Sequence, residues 1–248
     1  NDIEGMIRED IKTTAGVVLL TGPTGSGKTT TLYTFLNALN NDDVKIITLE
    51  DPVEYQLEGI NQVQVNSDIG FDFASGLRSI VRQDPDIIML GEIRDKETAQ
   101  IAMQSALTGH LVFSTVHTND AASAYTRLLD LGVEEFLLNA ALVSIVAQRL
   151  ARKICPLCSE QHPEQSSLIE KYQLTALADK FNVSEINLQQ GKGCDSCSHS
   201  GYKGRMAVIE YLACDEEIKA IPKDSDFIAK AKNHNKDLNR RTLFEDGL

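Results

Sequence analysis

The chain has 248 residues and 42% of them are hydrophobic, which suits one large domain, or one domain plus a small appendage, with a sizeable buried core. Its formal net charge of −12 repels polyanions and argues against a nucleic-acid partner. The short cluster Arg149, Arg152 and Lys153 reads as a solvated face rather than a binding patch. No stretch of eighteen apolar residues offers a membrane-spanning helix, and the start Asn1-Asp2-Ile3-Glu4 lacks a signal pattern, so a cytoplasmic location is expected. The missing initiator Met and the abrupt end at Glu245–Leu248 suggest a segment of a larger protein.

Val17–Thr21 is a short apolar, partly β-branched run that predicts a buried strand. Leu32, Phe35, Leu36 and Leu39 then recur at helical spacing within Thr29–Asn40. Val44–Glu50 reads as a strand closed by Asp51-Pro52. An irregular stretch to about Asp72 precedes a helix at Phe73–Gln83, a strand at Ile87–Leu90, a helix at Lys96–Leu107 and a strand at Leu111–Val116. Asp120–Ile154 is rich in Leu and Ala and reads as helical. Strands alternating with helices predict an α/β fold with a mostly parallel sheet covered on both faces. Polar clusters follow Leu20, Leu49, Leu90 and Val116, at the strand ends where such sheets bind ligands. The expected division is a nucleotide-binding core over 1–150, with connecting helices from about 120. A tetracysteine subdomain over 151–212 follows, and then a truncated helical segment over 213–248.

Gly22, Pro23, Thr24, Gly25, Ser26, Gly27, Lys28 and Thr29, with Thr30 next, fit the phosphate-loop pattern G-x-x-x-x-G-K-[ST]. The glycines let backbone N–H groups face phosphate oxygens, and the following helix offers its positive end to the same anion. Lys28 is expected to reach the β- and γ-phosphates of ATP, and the Thr29 hydroxyl to ligate Mg²⁺. A chance Gly-rich turn would not also supply the strand before and the helix after.

Hydrolysis also needs acid groups to hold metal and orient water. The second strand ends in Glu50-Asp51-Pro52-Val53-Glu54, and the third ends in Gly91-Glu92. Gly91 stands where many phosphate-loop proteins carry Asp, so Glu92 is expected to act on magnesium directly or through water. A single Glu at a strand end is ordinarily a loop charge; two acid clusters flanking one phosphate loop shift the balance towards a site. His117 closes the fourth strand beside Thr115 and Thr118, where a γ-phosphate sensor could sit, and His110 opens it. His117 could equally be structural, and His110 more readily so.

Cys155-Pro-Leu-Cys158 and Cys194-Asp-Ser-Cys197 form two C-x-x-C pairs separated by 35 residues. Four thiolates suit a tetrahedral structural Zn²⁺ with the intervening stretch looped out. A redox pair and plain buried thiols are the rivals, but neither pair opens a helix after a strand as thioredoxin-like sites do.

Taken together, these residues resemble the type II secretion and type IV pilus ATPases, a branch of the hexameric P-loop motors. Gly22–Thr30 resembles the family's Walker A, Ile47–Tyr55 its aspartate box, Asp86–Asp95 its unusual Walker B, and Thr108–Asn119 its histidine box. The resemblance implies a RecA-like P-loop NTPase core with a helical, zinc-binding appendage. It implies that Glu54 polarises the attacking water, that Glu92 supports magnesium, and that His117, with His110, senses the γ-phosphate. Arg78, Arg82, Arg94 and Arg127 match family arginines near nucleotide or subunit interfaces, though each could be a surface ion pair. The family's extension members carry the tetracysteine element and its retraction members do not. The implied function is Mg-dependent ATP hydrolysis driving pseudopilus assembly in type II secretion, in a hexamer working through inner-membrane platform proteins. Pilus extension is the alternative within the family. A nucleic-acid translocase, which the acidity opposes, and a non-catalytic nucleotide-binding scaffold, which Lys28, Glu54 and Glu92 oppose, are the alternatives outside it. The family's full-length proteins carry a further domain before this core.

Overall fold

A computed structural model describes residues 3–248. Contacts group them into two units. The first takes the chain through Arg149 together with Ile209–Asp246; the second takes Leu150–Val208 with Gly247–Leu248.

In the first unit, helix α1 (Ile3–Asp10) precedes strand β1 (Gly16–Thr21), helix α2 (Lys28–Leu39) and strand β2 (Ile46–Glu50). Strand β3 (Asn61–Gln64) and a single 3₁₀ turn at Ser67–Ile69 follow. Next come α3 (Phe73–Val81), β4 (Ile87–Leu90), α4 (Lys96–Leu107) and β5 (Leu111–Val116). Helices α5 (Ala121–Asp130) and α6 (Glu135–Ala141) lead into the long strand β6 (Leu142–Ile154). The sheet has seven strands in the order β3-β2-β4-β5-β1-β6-β9, where β9 is Tyr202–Ala213. Parallel pairing joins β1 to β5 and β6, β2 to β3 and β4, and β4 to β5.

Two-residue alternation decides what each face buries. Val17 and Leu19 of β1, Ile47 and Leu49 of β2, and Ile88 and Leu90 of β4 join a core covered by α3 to α6. Val18, Leu20, Ile46, Ile87 and Met89 point the other way and pack with Leu32, Tyr33 and Leu36 of α2 and Ile7 of α1. The sheet is thus covered on both faces, as α/β architecture requires. The C-terminal helices α9 (Glu216–Ala220), α10 (Phe227–Asp237) and α11 (Leu243–Asp246) belong to this unit. The polar sequence of that tail conceals a real contribution: Ile218, Phe227 and Ala231 are all buried in the core.

Two expectations need correction. The helical pattern from 120 ends at Ala141, and 142–154 is a strand rather than a helix. Val143, Ile145 and Val146 are β-branched and prefer the pleated, half-buried surface beside β1. The irregular stretch before Asp72 contains β3, whose mixed polar sequence Asn-Gln-Val-Gln belongs to an edge strand only partly buried.

The second unit contains β7 (Ser159–Gln161), α7 (Gln165–Lys171), α8 (Leu174–Phe181) and β8 (Gln189–Gly191), with a 3₁₀ turn at Asp195–Cys197. Strands β7 and β8 pair antiparallel, with Ser159 opposite Gly191. That pairing closes the long excursion between the two cysteine pairs, because Cys158 immediately precedes β7 and Cys194 follows β8 by three residues.

Candidate functional site

The phosphate loop runs from the carboxyl end of β1 to the amino end of α2. Its first glycine, Gly22, has φ +153, and a Cβ there would lie 2.4 Å from the Gln148 carbonyl oxygen and 2.6 Å from the Ser26 hydroxyl. Only glycine lets the loop approach β6 so closely. Gly27 takes the left-handed conformation at the helix N-cap and, having no side chain, leaves the first N–H groups of α2 without a side-chain cap. Those groups, with the helix dipole, suit an anion. The Ser26 hydroxyl is buried and has no partner among the described residues, which marks the loop as a place built for a further polar group. Pro23, Thr24, Gly25 and Thr30 are exposed on the loop and helix start, and Thr29 is half-buried in the first turn.

Lys28 is largely buried, and its Nζ donates to the carbonyl oxygens of Gly22 at 2.8 Å and Pro23 at 3.1 Å. Desolvation lowers its pKa; Glu92 pulls it back up and Arg149 lowers it further. An ammonium held out of water, with a second cation nearby, is primed to receive polyanionic oxygen.

Glu92 leaves the carboxyl end of β4 and His117 the carboxyl end of β5. The structure brings them together: His117 Nε2 lies 3.3 Å from Glu92 Oε2. Glu92 also forms an ion pair with Arg94. Threonines stitch the three strand ends to one another. Thr21 Oγ1 lies 2.7 Å from Thr118 Oγ1 and accepts from the Thr118 N–H at 2.9 Å. Thr115 Oγ1 donates to the Gly91 carbonyl at 2.8 Å. Leu49 of β2 pairs with Leu90 of β4, so the segments carrying Glu54 and Glu92 emerge from adjacent strands.

Of the acids after β2, Glu50 is the buried one. It accepts hydrogen bonds from Tyr33, Thr48 and, at 3.2 Å, Gln62, so its carboxylate is already satisfied. Burial, followed by the Glu50 hydrogen bond, raises the Tyr33 pKa. Glu54 is exposed, and its N–H faces Tyr33 Oη at 3.4 Å.

His110 is not near this cluster. It sits at the amino end of β5, with Nδ1 2.8 Å from the Ser105 carbonyl at the end of α4. Seven residue steps at roughly 3.3 Å each separate the two histidines by about 23 Å. Arg78 pairs with Glu97 across α3 and α4, while Arg82 and Arg127 are exposed at or near the ends of α3 and α5.

Sequence reading missed Gln148. This residue of β6 is 1% exposed; its Nε2 donates to the Ser26 carbonyl at 2.8 Å, and its Oε1 accepts from Thr31 Oγ1 at 2.8 Å. Its signal lay in the β-branched run before it, obscured by the Leu- and Ala-rich helices upstream.

In the second unit, all four sulfurs of Cys155, Cys158, Cys194 and Cys197 lie within 4.8 Å of one another. Sγ–Sγ distances are 3.9 Å for Cys155–Cys194, 3.9 Å for Cys158–Cys197 and 3.8 Å for Cys194–Cys197. A disulfide requires about 2.05 Å. Four sulfurs at about 2.3 Å from a tetrahedral zinc are separated by about 3.8 Å. The donor set therefore fits that ion. Backbone N–H groups point at the sulfurs: Cys194 and Gly201 donate to Cys197, and Gly193 donates to Cys158. The Cys194 N–H leads in drawing the Cys197 thiol down to about 6, while burial leads in pushing Cys158 up to about 12. Gly191 and Gly201 touch backbone to backbone; a Cβ on Gly191 would fall 1.9 Å from the Gly201 oxygen.

A family model described as "Type II/IV secretion system protein" matches residues 3–248. The chain is 49% identical over 247 residues to type II secretion system protein E of Xanthomonas campestris pv. campestris, covering 100% of this chain and 43% of that protein. It is 46% identical over 243 residues to the type IV pilus assembly ATPase PilB of Myxococcus xanthus, covering 97% of this chain and 42% of that protein. The chain thus spans under half the length of these relatives. Among solved structures, the Legionella pneumophila ATPase DotB matches with a TM-score of 0.66 at 25% identity, covering 99% of this chain and 60% of that one. The pilus retraction motor PilT with bound ADP matches at 0.62 and 26% identity, covering 99% and 64%. These neighbours bear out the RecA-like α/β fold expected from the sequence.

Proposed function

Since the chain belongs to the type II/IV secretion system protein family, we propose that it is the ATP-hydrolysing motor portion of a type II secretion ATPase, driving pseudopilus assembly. The observation that carries this reading is the convergence of Lys28, Glu92 and His117 at the carboxyl ends of β1, β4 and β5, with Glu92 3.3 Å from His117. Pilus extension is the second reading, favoured by the 46% identity to PilB.

In this reading, ATP with Mg²⁺ supplies the phosphoanhydride and the divalent charge. Backbone N–H groups of 24–29 hold the phosphates, and Lys28 turns its ammonium from the Gly22 and Pro23 carbonyls towards them. The Thr29 hydroxyl and Glu92 would hold the magnesium, which would neutralise phosphate charge; His117, 3.3 Å from Glu92, would fix that carboxylate and sense the γ-phosphate. Glu54 orients the attacking water. Arg78, Arg82, Arg94 and Arg127 serve nucleotide or subunit contacts in a hexamer attached to the inner membrane through platform proteins. Among the described residues no helix is long and apolar enough to cross a membrane. Cys155, Cys158, Cys194 and Cys197 hold a structural zinc, since four sulfurs leave no open position for substrate.

Substituting Lys28 tests the reading. Lys28→Ala should abolish the thermal stabilisation given by ATP, which amounts to about 2.7 kcal/mol when ligand stands at a hundred times Kd. Equal stabilisation of wild type and Lys28→Ala would overturn the phosphate-loop assignment.

A further inference from the structure

We propose that Gln148 is a positioning residue for nucleotide phosphate, a clasp on β6 that holds the phosphate loop in its anion-binding shape. The inference rests on the ATP-binding reading given above and adds a residue to it.

Gln148 meets the loop at three points. Its backbone carbonyl lies against Gly22, where any Cβ would collide at 2.4 Å. Its Nε2 donates to the Ser26 carbonyl, and its Oε1 accepts from Thr31 Oγ1, each at 2.8 Å. The first contact is at the start of the loop, the second at its middle, and the third in the first turn of α2. The strand bearing Gln148 pairs directly with β1, with Ala147 opposite Thr21, so the clasp and the loop share one rigid base.

The Ser26 contact carries most of the consequence. In a planar trans peptide the C=O and N–H point in opposite directions. Drawing the Ser26 carbonyl onto β6 therefore turns the Gly27 N–H away from β6. Gly27 can hold this orientation because its φ of +86 is open to glycine. Gly27 directly precedes Lys28, so the same peptide sets where the lysine leaves the loop.

The residue type matches the task. A primary amide offers a donor and an acceptor at once, and both are used here. Glutamate would keep the acceptor, lose the donor, and place a negative charge beside a phosphate site. Methionine would fill the same space and leave the Ser26 carbonyl and Thr31 hydroxyl without partners. Arg149, next along β6, donates from Nη1 to the Gln148 carbonyl at 3.1 Å and from Nη2 to the Asn119 carbonyl at 2.7 Å. Asn119 lies two residues beyond His117, so the clasp also ties the loop to the segment after β5.

Calorimetric binding of MgADP and MgATP to the chain, with thermal unfolding of the nucleotide-free protein alongside, tests the clasp. Working well below every unfolding midpoint keeps lost affinity separate from lost stability. Gln148→Met should weaken both nucleotides by about tenfold or more. Thr31→Val, which spares the Ser26 contact, should weaken them by less than about threefold. Gln148→Glu should bind poorly at about pH 7.5 and recover towards about pH 5.5, because a buried carboxyl that takes up its proton regains a donor for the Ser26 carbonyl. A folded Gln148→Met with wild-type affinity overturns the proposal. If Gln148→Met does not fold, the Gln148→Glu profile decides, and an affinity flat with pH relative to wild type overturns it. Wild type that binds neither nucleotide would remove the ATP-binding reading itself; wild type that binds beside an unaffected Gln148→Met would remove the clasp alone.

Discussion

Every residue of β1, β2, β4 and β5 in the phosphate-loop unit is buried, whereas burial between Leu150 and Val208 reaches Cys155, Leu174, Cys197, Gly201 and Val208 and no others. The first unit closes two apolar cores around a sheet; the second sets only a few buried side chains against the entropy of ordering its chain. What the second has instead is four sulfurs at metal-ligand spacing. A unit held by area should lose stability gradually as side chains are trimmed. A unit held by one ion should fail when a single ligand is lost.

The largest effect should therefore come from the cysteines. Cys194→Ser, or chelation, should release a metal contribution of the order of 10 kcal/mol and open 159–204 to proteases, while nucleotide affinity changes by no more than about twofold. Elemental analysis should find one zinc per chain. Proteolysis unchanged by chelation would break the contrast between the units.

Next in size are leucines, one from each unit. Leu19 is fully buried in the middle of β1, so Leu19→Ala should cost about 2–5 kcal/mol, read from denaturant unfolding of the first unit. Leu174→Ala should cost the second unit far less than the loss of one sulfur does. If it melts that unit as completely as Cys194→Ser, apolar packing holds the unit and metal does not.

The smallest effect concerns Asp120, which caps α5 by accepting the Ser123 N–H at 2.8 Å and pairs with Lys232 of α10 at 2.6 Å. Burial pushes its pKa up, but the Lys232 and Ser123 hydrogen bonds outweigh that and hold it below the ordinary 3.8. A carboxyl depressed on folding stabilises above its unfolded value and loses that contribution as pH falls through its folded one. Asp120→Ala should cost about 1 kcal/mol at neutral pH, and the gap from wild type should close as the pH falls below about 3.8.

The parts of the molecule legible in the sequence are those fixed by local chemistry. Gly22–Thr30 declares itself because a phosphate loop needs glycine, lysine and hydroxyl at fixed offsets. The buried strands declare themselves because Val17–Thr21, Ile87–Leu90 and Leu111–Val116 are apolar runs bounded by turns. The cysteine pairs declare themselves through their own spacing. What stayed hidden depends on partners distant in sequence. Strand β6 follows α6 with no intervening turn residue, so its β-branched residues were absorbed into the helical pattern and Gln148 lost its place beside Ser26. His110 and His117 bracket one strand, and the resemblance joins them in one role, yet the strand carries them to opposite ends. The polar tail after Asp215 gave no hint that Phe227 would be buried against Tyr125, at a ring-centroid distance of 5.0 Å.

ATP retention and ATP turnover by wild type, Lys28→Ala and Glu54→Gln, measured side by side, test the motor assignment most directly. In the proposed roles Lys28 serves the phosphates and Glu54 the water, so the two substitutions should fail differently. Lys28→Ala should lose retention and turnover together. Glu54→Gln should keep ATP bound while turnover falls by about a hundred- to ten-thousand-fold. Turnover at the wild-type rate in both variants would contradict the assignment of this strand-end cluster as the site of ATP hydrolysis.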